Sequence, residues 1–316
     1  MYSPKDYSTI SFPWLGWEFD PSRIIDLGFV QIRWYGLIIA VGLMLAAIYG
    51  MRRSKQFGIK QDDIMDGFLW IVPFAVICAR LYYCIFSWSA YASDPISILF
   101  IWEGGLAIYG GVIGAMIGVI IFCRVKKINT WALLDLVALG FMIGQSIGRW
   151  GNFFNREAFG SEITTDFFLR MGLYNQWTGQ VQYFHPTFLY ESMWNLVGFI
   201  ALHFISKKRK FDGQIALSYV AWYGLGRAMI EGLRTDSLMW GPIRVSQMLA
   251  AVSCLAAVIA LLYKGLFQRR KPLYVTTVDP AELEPPKKEK KASDPEETGE
   301  EANNDEGNND EGNNDE

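Results

Sequence analysis

Seven apolar blocks, each about as long as a bilayer is thick, leave this chain few choices of fold. Read with a window of about 19 residues, they fall at 33–51, 67–86, 105–123, 131–148, 187–205, 213–231 and 243–263. A segment in hydrocarbon must satisfy its own backbone hydrogen bonds, so each block is expected to be an α-helix. Hydrophobic residues make up 51% of the chain and aromatics 15%, gathered into runs that short polar clusters separate. That is more apolar surface than a soluble domain needs. The expected fold class is an all-α polytopic membrane protein with seven transmembrane helices.

Positive charge sets the expected orientation. Arg52, Arg53, Lys55 and Lys60 follow the first block; Arg124, Lys126 and Lys127 follow the third. Lys207, Lys208, Arg209 and Lys210 follow the fifth, and Lys264, Arg269, Arg270 and Lys271 the seventh, whereas 87–104 holds no Lys or Arg. Basic connections stay cytoplasmic, which puts the N-terminus outside and the C-terminus in the cytoplasm. Residues 1–31 lack a signal peptide's basic start and apolar core, and Pro4, Pro13 and Pro21 interrupt them. With Phe12, Trp14, Leu15 and Trp17 they read as a segment lying in the outer interface. The transmembrane domain is then 32–271. Residues 272–316, rich in Glu, Lys, Pro and Asn and ending in NNDEG repeats, read as a disordered acidic cytoplasmic tail. That tail accounts for the net charge of -3 and hides strongly basic cytoplasmic edges, suited to anionic lipid. Cys78, Cys84, Cys123 and Cys254 lie in or at the ends of apolar blocks without metal-like spacing, and packing explains them. No metal, cofactor or nucleic-acid partner is expected.

Function is sought where the membrane should reject the side chains. Arg227, Glu231 and Arg234 fall on one helical face, and each charge near mid-membrane costs roughly 2.5–3.5 kcal/mol. Glu231 pairing with both arginines would pin the helix, yet it leaves one positive charge for some other anion. At the outer end of the fourth block stand Gln145, Arg149, Asn152, Asn155 and Glu157. Arg149 reads either as a snorkelling side chain or as a ligand group, the latter favoured by Gly144, Gly148, Gly151 and Gly160 around it. Two arginines from different helices clamp a phosphodiester better than either alone. Arg80 is the lone charge inside the second block, and Glu103 has no opposite charge near it in sequence. Tyr35 and Tyr109, taken singly, read as ordinary interface or core aromatics. His185, before Pro186, suits a base near neutral pH and a turn-capping role equally.

The stretch 148–160, GRWGNFFNREAFG, resembles the GRxGNFxNxExxG signature of the prolipoprotein diacylglyceryl transferase family. RWYGL at 33–37, EGGLAIYGG at 103–111, HPTFLYE at 185–191 and RAMIEGLRTD at 227–236 match in the family's order, so the likeness covers roughly 30–265. The resemblance implies a multi-pass enzyme of the bacterial inner membrane acting in the first step of lipoprotein maturation. Its substrates would be phosphatidylglycerol and the lipobox cysteine in the signal peptide of a preprolipoprotein. The diacylglyceryl group would pass to the cysteine thiol, releasing glycerol 1-phosphate. Catalytic roles are implied for Arg149, Arg227, Tyr35, Tyr109 and Glu231. Headgroup binding is implied for Arg149, Asn152, Asn155, Glu157, Gly160, Arg80, Arg234 and His185, with Glu157 and Glu231 orienting the arginines. Tyr109 stands where several members carry histidine, and an unperturbed phenol is a poor base. Either His185, Glu103 or water then takes the thiol proton, or the arginines themselves favour the thiolate, which is the preferred reading. A phospholipid-binding scaffold or a transporter is the alternative.

Overall fold

A computed structural model describes residues 6–28, 31–101, 104–234, 239–267 and 272–283. It is a polytopic, helix-dominated membrane protein. Among the described residues six helices are long and apolar enough to cross a membrane. These are α1 (Trp34–Arg53, extended by a 3-10 turn to Phe57), α2 (Gln61–Phe86), α4 (Ile108–Lys126), α5 (Thr130–Asn155), α6 (Thr187–Ser206) and α8 (Val245–Leu266). The short α3 (Trp88–Tyr91) follows α2, and α7 (Gln214–Ile230) occupies the place of the sixth apolar block with 17 residues. The second helix starts six residues ahead of its apolar block, because Asp62 and Asp63 give its first turn acidic side chains that the helix dipole favours.

The centre of the bundle is α5, the most buried of the six long helices, whereas α1 and α8 turn most of their surface outward. Its Leu133, Leu136, Leu139 and Met142 meet Phe122 and Cys123 of α4, Leu202 of α6 and Ile215 of α7. Close approach to α1 depends on glycine: a Cβ on Gly42 would lie 3.4 Å from Gly144 Cα. At the basic end, Asp135 of α5 is fully buried and caps its neighbour α7, accepting from Gly213 N and Ala216 N at 2.8 Å each. Gly213, at the N-cap, has no side chain to do this itself.

Two expectations from sequence need correction. Residues 272–283, assigned above to a disordered tail, are ordered against the bundle. Tyr274 N donates to Asp212 Oδ2 at 2.7 Å, Lys60 pairs with Glu282 at 3.2 Å, Gly58 packs on Val275, and Leu283 is buried. Tyr274, Val275 and Leu283 supply the apolar surface that composition averaged over 272–316 conceals. Truncation after Leu283 is expected to leave the thermal midpoint unchanged, whereas truncation after Lys271 lowers it by about 2–4 °C, measured in detergent.

The N-terminal segment is the second: the sequence reading gave it no secondary structure, and it forms strands. They are β1 (Tyr7–Phe12), β2 (Trp17–Phe19), β3 (Ile24–Asp26) and β4 (Gln31–Arg33). A hairpin between α5 and α6, β5 (Met171–Asn175) and β6 (Gln180–Phe184), joins the first two in an antiparallel sheet of order β2-β1-β5-β6. The sheet has its own core of Tyr7, Ile10, Phe12, Met171, Leu173 and Phe184, set on Phe153 of α5 and Phe188 of α6. The sequence contains alternating strand patterns here, but Pro4, Pro13 and Pro21 and the interfacial aromatics obscured them. Trp14 and Trp17 do remain exposed. A last hairpin, β7 (Met239–Trp240) with β8 (Ile243–Arg244), joins α7 to α8.

Candidate active site

The 148–160 segment divides its labour by residue type. Its aromatics fasten the cap: Phe153 packs against Phe12, Phe19 and Phe188, Phe154 stacks on Trp34 at 5.0 Å, and Phe159 meets Phe184 at 4.5 Å. Its polar residues are turned to the top of the bundle by a tight reversal. Arg156 and Ala158 both adopt left-handed φ of 55°, a strain of order 1–2 kcal/mol per non-glycine residue. The strain is held from outside. The buried Arg156 guanidinium donates to the carbonyls of Ser8, Phe154 and Pro21 and pairs with Asp20, while Thr187 donates to Ala158 O. Gly160 then threads between strands, bridging Arg234 and donating to His185 O at 2.9 Å; a Cβ there would stand 2.7 Å from His185 Cβ.

This scaffold gathers a network of ionised groups at the ends of α5, α6 and α7. Glu191, in the second turn of α6 and only 4% exposed, is its hub. It pairs with Arg149 at 2.6 Å, Arg227 at 3.1 Å and Arg234 at 3.4 Å. Glu231, 1% exposed, pairs with Arg227 at 2.7 Å and Arg234 at 3.9 Å. Among the described residues the network joins three arginines to two glutamates. The side chains of Arg149 and Arg227 keep 22% and 18% of their surface accessible, more than Arg234 or either glutamate, so they are the members of the network that a ligand can reach. Arg244 of β8 and Gln247 of α8 steady the end of α7 by donating to the carbonyls of Glu231, Gly232 and Ala228, which a helix end would otherwise leave unpaired.

The other sequence candidates sort around this network. Asn152 and Asn155 donate to Glu157 Oε1 at 3.0 and 3.1 Å. Glu157 therefore orients the asparagines and not the arginines, because the reversal folds its backbone onto Asn152 O at 3.1 Å. Tyr35 lies over Gly151, where a Cβ would come within 2.6 Å of its ring, and has Glu157 and Arg149 as charged neighbours. Arg80 stands apart from the network. It is buried, and its guanidinium donates to the carbonyls of Ser97, Ile98, Phe100, Gly104 and Gly105. With all five donors engaged it holds the α2–α4 connection. Tyr109, in the first turn of α4, is 46% exposed, and among the described residues no hydrogen bond joins it to the arginines. Glu103 lies outside the described residues.

His185 sits beside Gly160, its Nδ1 3.3 Å from Tyr190 Oη. Burial lowers its pKa below the ordinary 6.5. The folded protein thus holds His185 neutral, and the stability this gives is complete above 6.5 and lost as pH falls below it. In His185→Gln the fall in thermal midpoint between about pH 7 and pH 5 is expected to be shallower than in the parent; an unchanged slope would put the histidine in solvent.

Comparison with known proteins bears on this arrangement. The family model for prolipoprotein diacylglyceryl transferase matches residues 22–263. The chain belongs to that family. Relatives named phosphatidylglycerol--prolipoprotein diacylglyceryl transferase include one from Ligilactobacillus salivarius, 45% identical over 246 residues, covering 76% of this chain and 91% of the relative. One from Listeria welshimeri is 43% identical over 255 residues (79% and 92%), and one from Limosilactobacillus reuteri 44% over 239 (74% and 87%). In this member of the transferase family, the family match runs from β3 through most of α8 and includes the ion network.

Sequence reasoning missed the hub of this network. Glu191 was visible inside HPTFLYE, and the signal that finds it is the one applied to Glu231: a carboxylate in an apolar block, with a surplus of arginines elsewhere to answer it. Arg156 was likewise read only as part of the signature, and its fastening of the cap required the fold.

Proposed function

We propose that this chain transfers the diacylglyceryl group of phosphatidylglycerol to the lipobox cysteine of preprolipoproteins, as a seven-helix enzyme of the bacterial inner membrane. The N-terminus and the β-sheet cap face outward, and the basic end faces the cytoplasm. The observation that carries this reading is the Glu191-centred network, in which Arg149 and Arg227 are the guanidiniums that keep accessible surface. A phosphodiester is the anion that two converging guanidinium forks fit.

In the reaction the substrate thiolate attacks the glycerol carbon that bears the phosphate. A sulfur–carbon bond forms, the carbon–oxygen bond breaks, and glycerol 1-phosphate leaves with that electron pair. Arg149 and Arg227 stabilise the charge that grows on the departing phosphate, and Glu191 and Glu231 keep both guanidiniums aimed. Asn152 and Asn155, held by Glu157, present amides to the glycerol headgroup, with Tyr35 alongside. The same positive site favours the thiolate over the thiol and so assists nucleophile formation. The neutral His185 is available to receive the proton.

The test is transfer itself. Purified protein, phosphatidylglycerol and a lipobox peptide are incubated and the peptide mass followed. A diacylglyceryl mass gain supports the reading. Lipid binding without any gain would make the protein a phospholipid-binding scaffold.

A further inference from the structure

The network depends on α6 and α7 meeting in one register, and the bundle contains a device for that. One turn below Glu191, the indoles of Trp194 (α6) and Trp222 (α7) stack at 4.5 Å with 20° between planes. Each donates its ring N–H to the other's backbone carbonyl: Trp194 Nε1 to Trp222 O and Trp222 Nε1 to Trp194 O, both at 3.0 Å. The sequence repeats the same spacing on both sides, tryptophan followed four residues later by glycine, in Trp194/Gly198 and Trp222/Gly226.

That spacing has a physical reason. In a helix the carbonyl of residue i accepts from the N–H of i+4, so its second lone pair is reachable only past the side chain of i+4. Glycine clears the path. A Cβ on Gly198 would collide with the Trp222 indole nitrogen, and one on Gly226 with that of Trp194. Ring, carbonyl and glycine form a closed pair of contacts that a slip of one residue destroys on both sides. Such a slip moves Glu191 about 1.5 Å along the axis and about 100° around it, out of reach of Arg149 and Arg227.

We propose that Trp194 and Trp222 are positioning residues, a reciprocal clasp that fixes α6 against α7 and so holds Glu191 among the arginines. The kinetic readout rests on the transferase reading above. The clasp itself has an independent signature, because two stacked indoles give an exciton couplet in the far-ultraviolet circular dichroism. Trp194→Phe and Trp222→Phe each keep an aromatic ring and lose one N–H. Each is expected to abolish the couplet and to lower kcat per folded molecule about tenfold, with KM for phosphatidylglycerol changed less than twofold. Gly226→Ala, which presses on the Trp194 indole, shows the same split, and adding it to Trp194→Phe costs nothing further. Should the phenylalanine variants fail to fold, Gly226→Ala alone carries the comparison. A couplet missing from the parent protein overturns the clasp. So does kcat per folded molecule within twofold of the parent, or a loss residing in KM alone. A parent that shows the couplet without transfer removes the proposed function and leaves the clasp.

Discussion

Alanine at Arg149 or at Arg227 is expected to lower diacylglyceryl transfer by about 10²–10³-fold, the effect of removing one donor from a developing anion. The two arginines come from different helices and share Glu191 at 2.6 and 3.1 Å. They are the members of the network with the most accessible surface, so the loss falls on transition-state stabilisation more than on folding. Arg149→Lys retains charge and loses the planar fork, and an intermediate loss of about tenfold with an altered pH profile is expected. Transfer rates with a lipobox peptide, corrected for folded protein, check all three. Full turnover with an unchanged pH profile in Arg149→Lys would remove thiol activation by the arginines from the mechanism. Undiminished transfer in both alanine variants would move the reacting centre elsewhere.

Glu191→Ala is expected to be as damaging for a different reason. It takes the shared acceptor from three arginines at once, while Glu231 keeps its pairs with Arg227 and Arg234. Removing one partner from a buried ion network costs about 3–5 kcal/mol, so a lower thermal midpoint should accompany a loss of transfer beyond about 10²-fold. Glu191→Gln preserves shape and an acceptor oxygen, and should fold near normally while still losing transfer by about tenfold or more. Thermal melts beside transfer assays separate the two effects. An alanine variant that turned over at the parent's rate would show that the arginines are aimed by something other than Glu191.

What the sequence made legible follows a physical line. Helices that must cross hydrocarbon announce themselves within a window of twenty residues, so 187–205 anticipated Thr187–Ser206 and 131–148 found the body of Thr130–Asn155. Charges inside such windows are costly, which brought Arg149, Arg227, Glu231 and Arg234 forward together. Interactions built across long separations left no local trace. Arg149 and Glu191 stand 42 residues apart, and β1 meets β5 across most of the domain. Cost alone also does not say how a charge is answered: Arg80 carried the same warning as Arg227, yet it is answered by five carbonyls of its own connection.

The place of β1 inside the four-stranded sheet has a consequence for biogenesis. Its partner β5 lies roughly 160 residues later in the chain, which at about 5–20 residues per second is some 8–30 s of synthesis. During that interval the first strand must wait, its hydrogen-bonding edge unpaired toward the partner it will acquire. The Arg156 turn cannot be fastened to Ser8, Asp20 and Pro21 by an N-terminal segment that is not yet folded. The end of the bundle that carries the ion network is therefore completed late, when the first residues made meet a hairpin from the middle of the chain. A newly inserted, partly synthesised chain would have its early helices in place and this end still open.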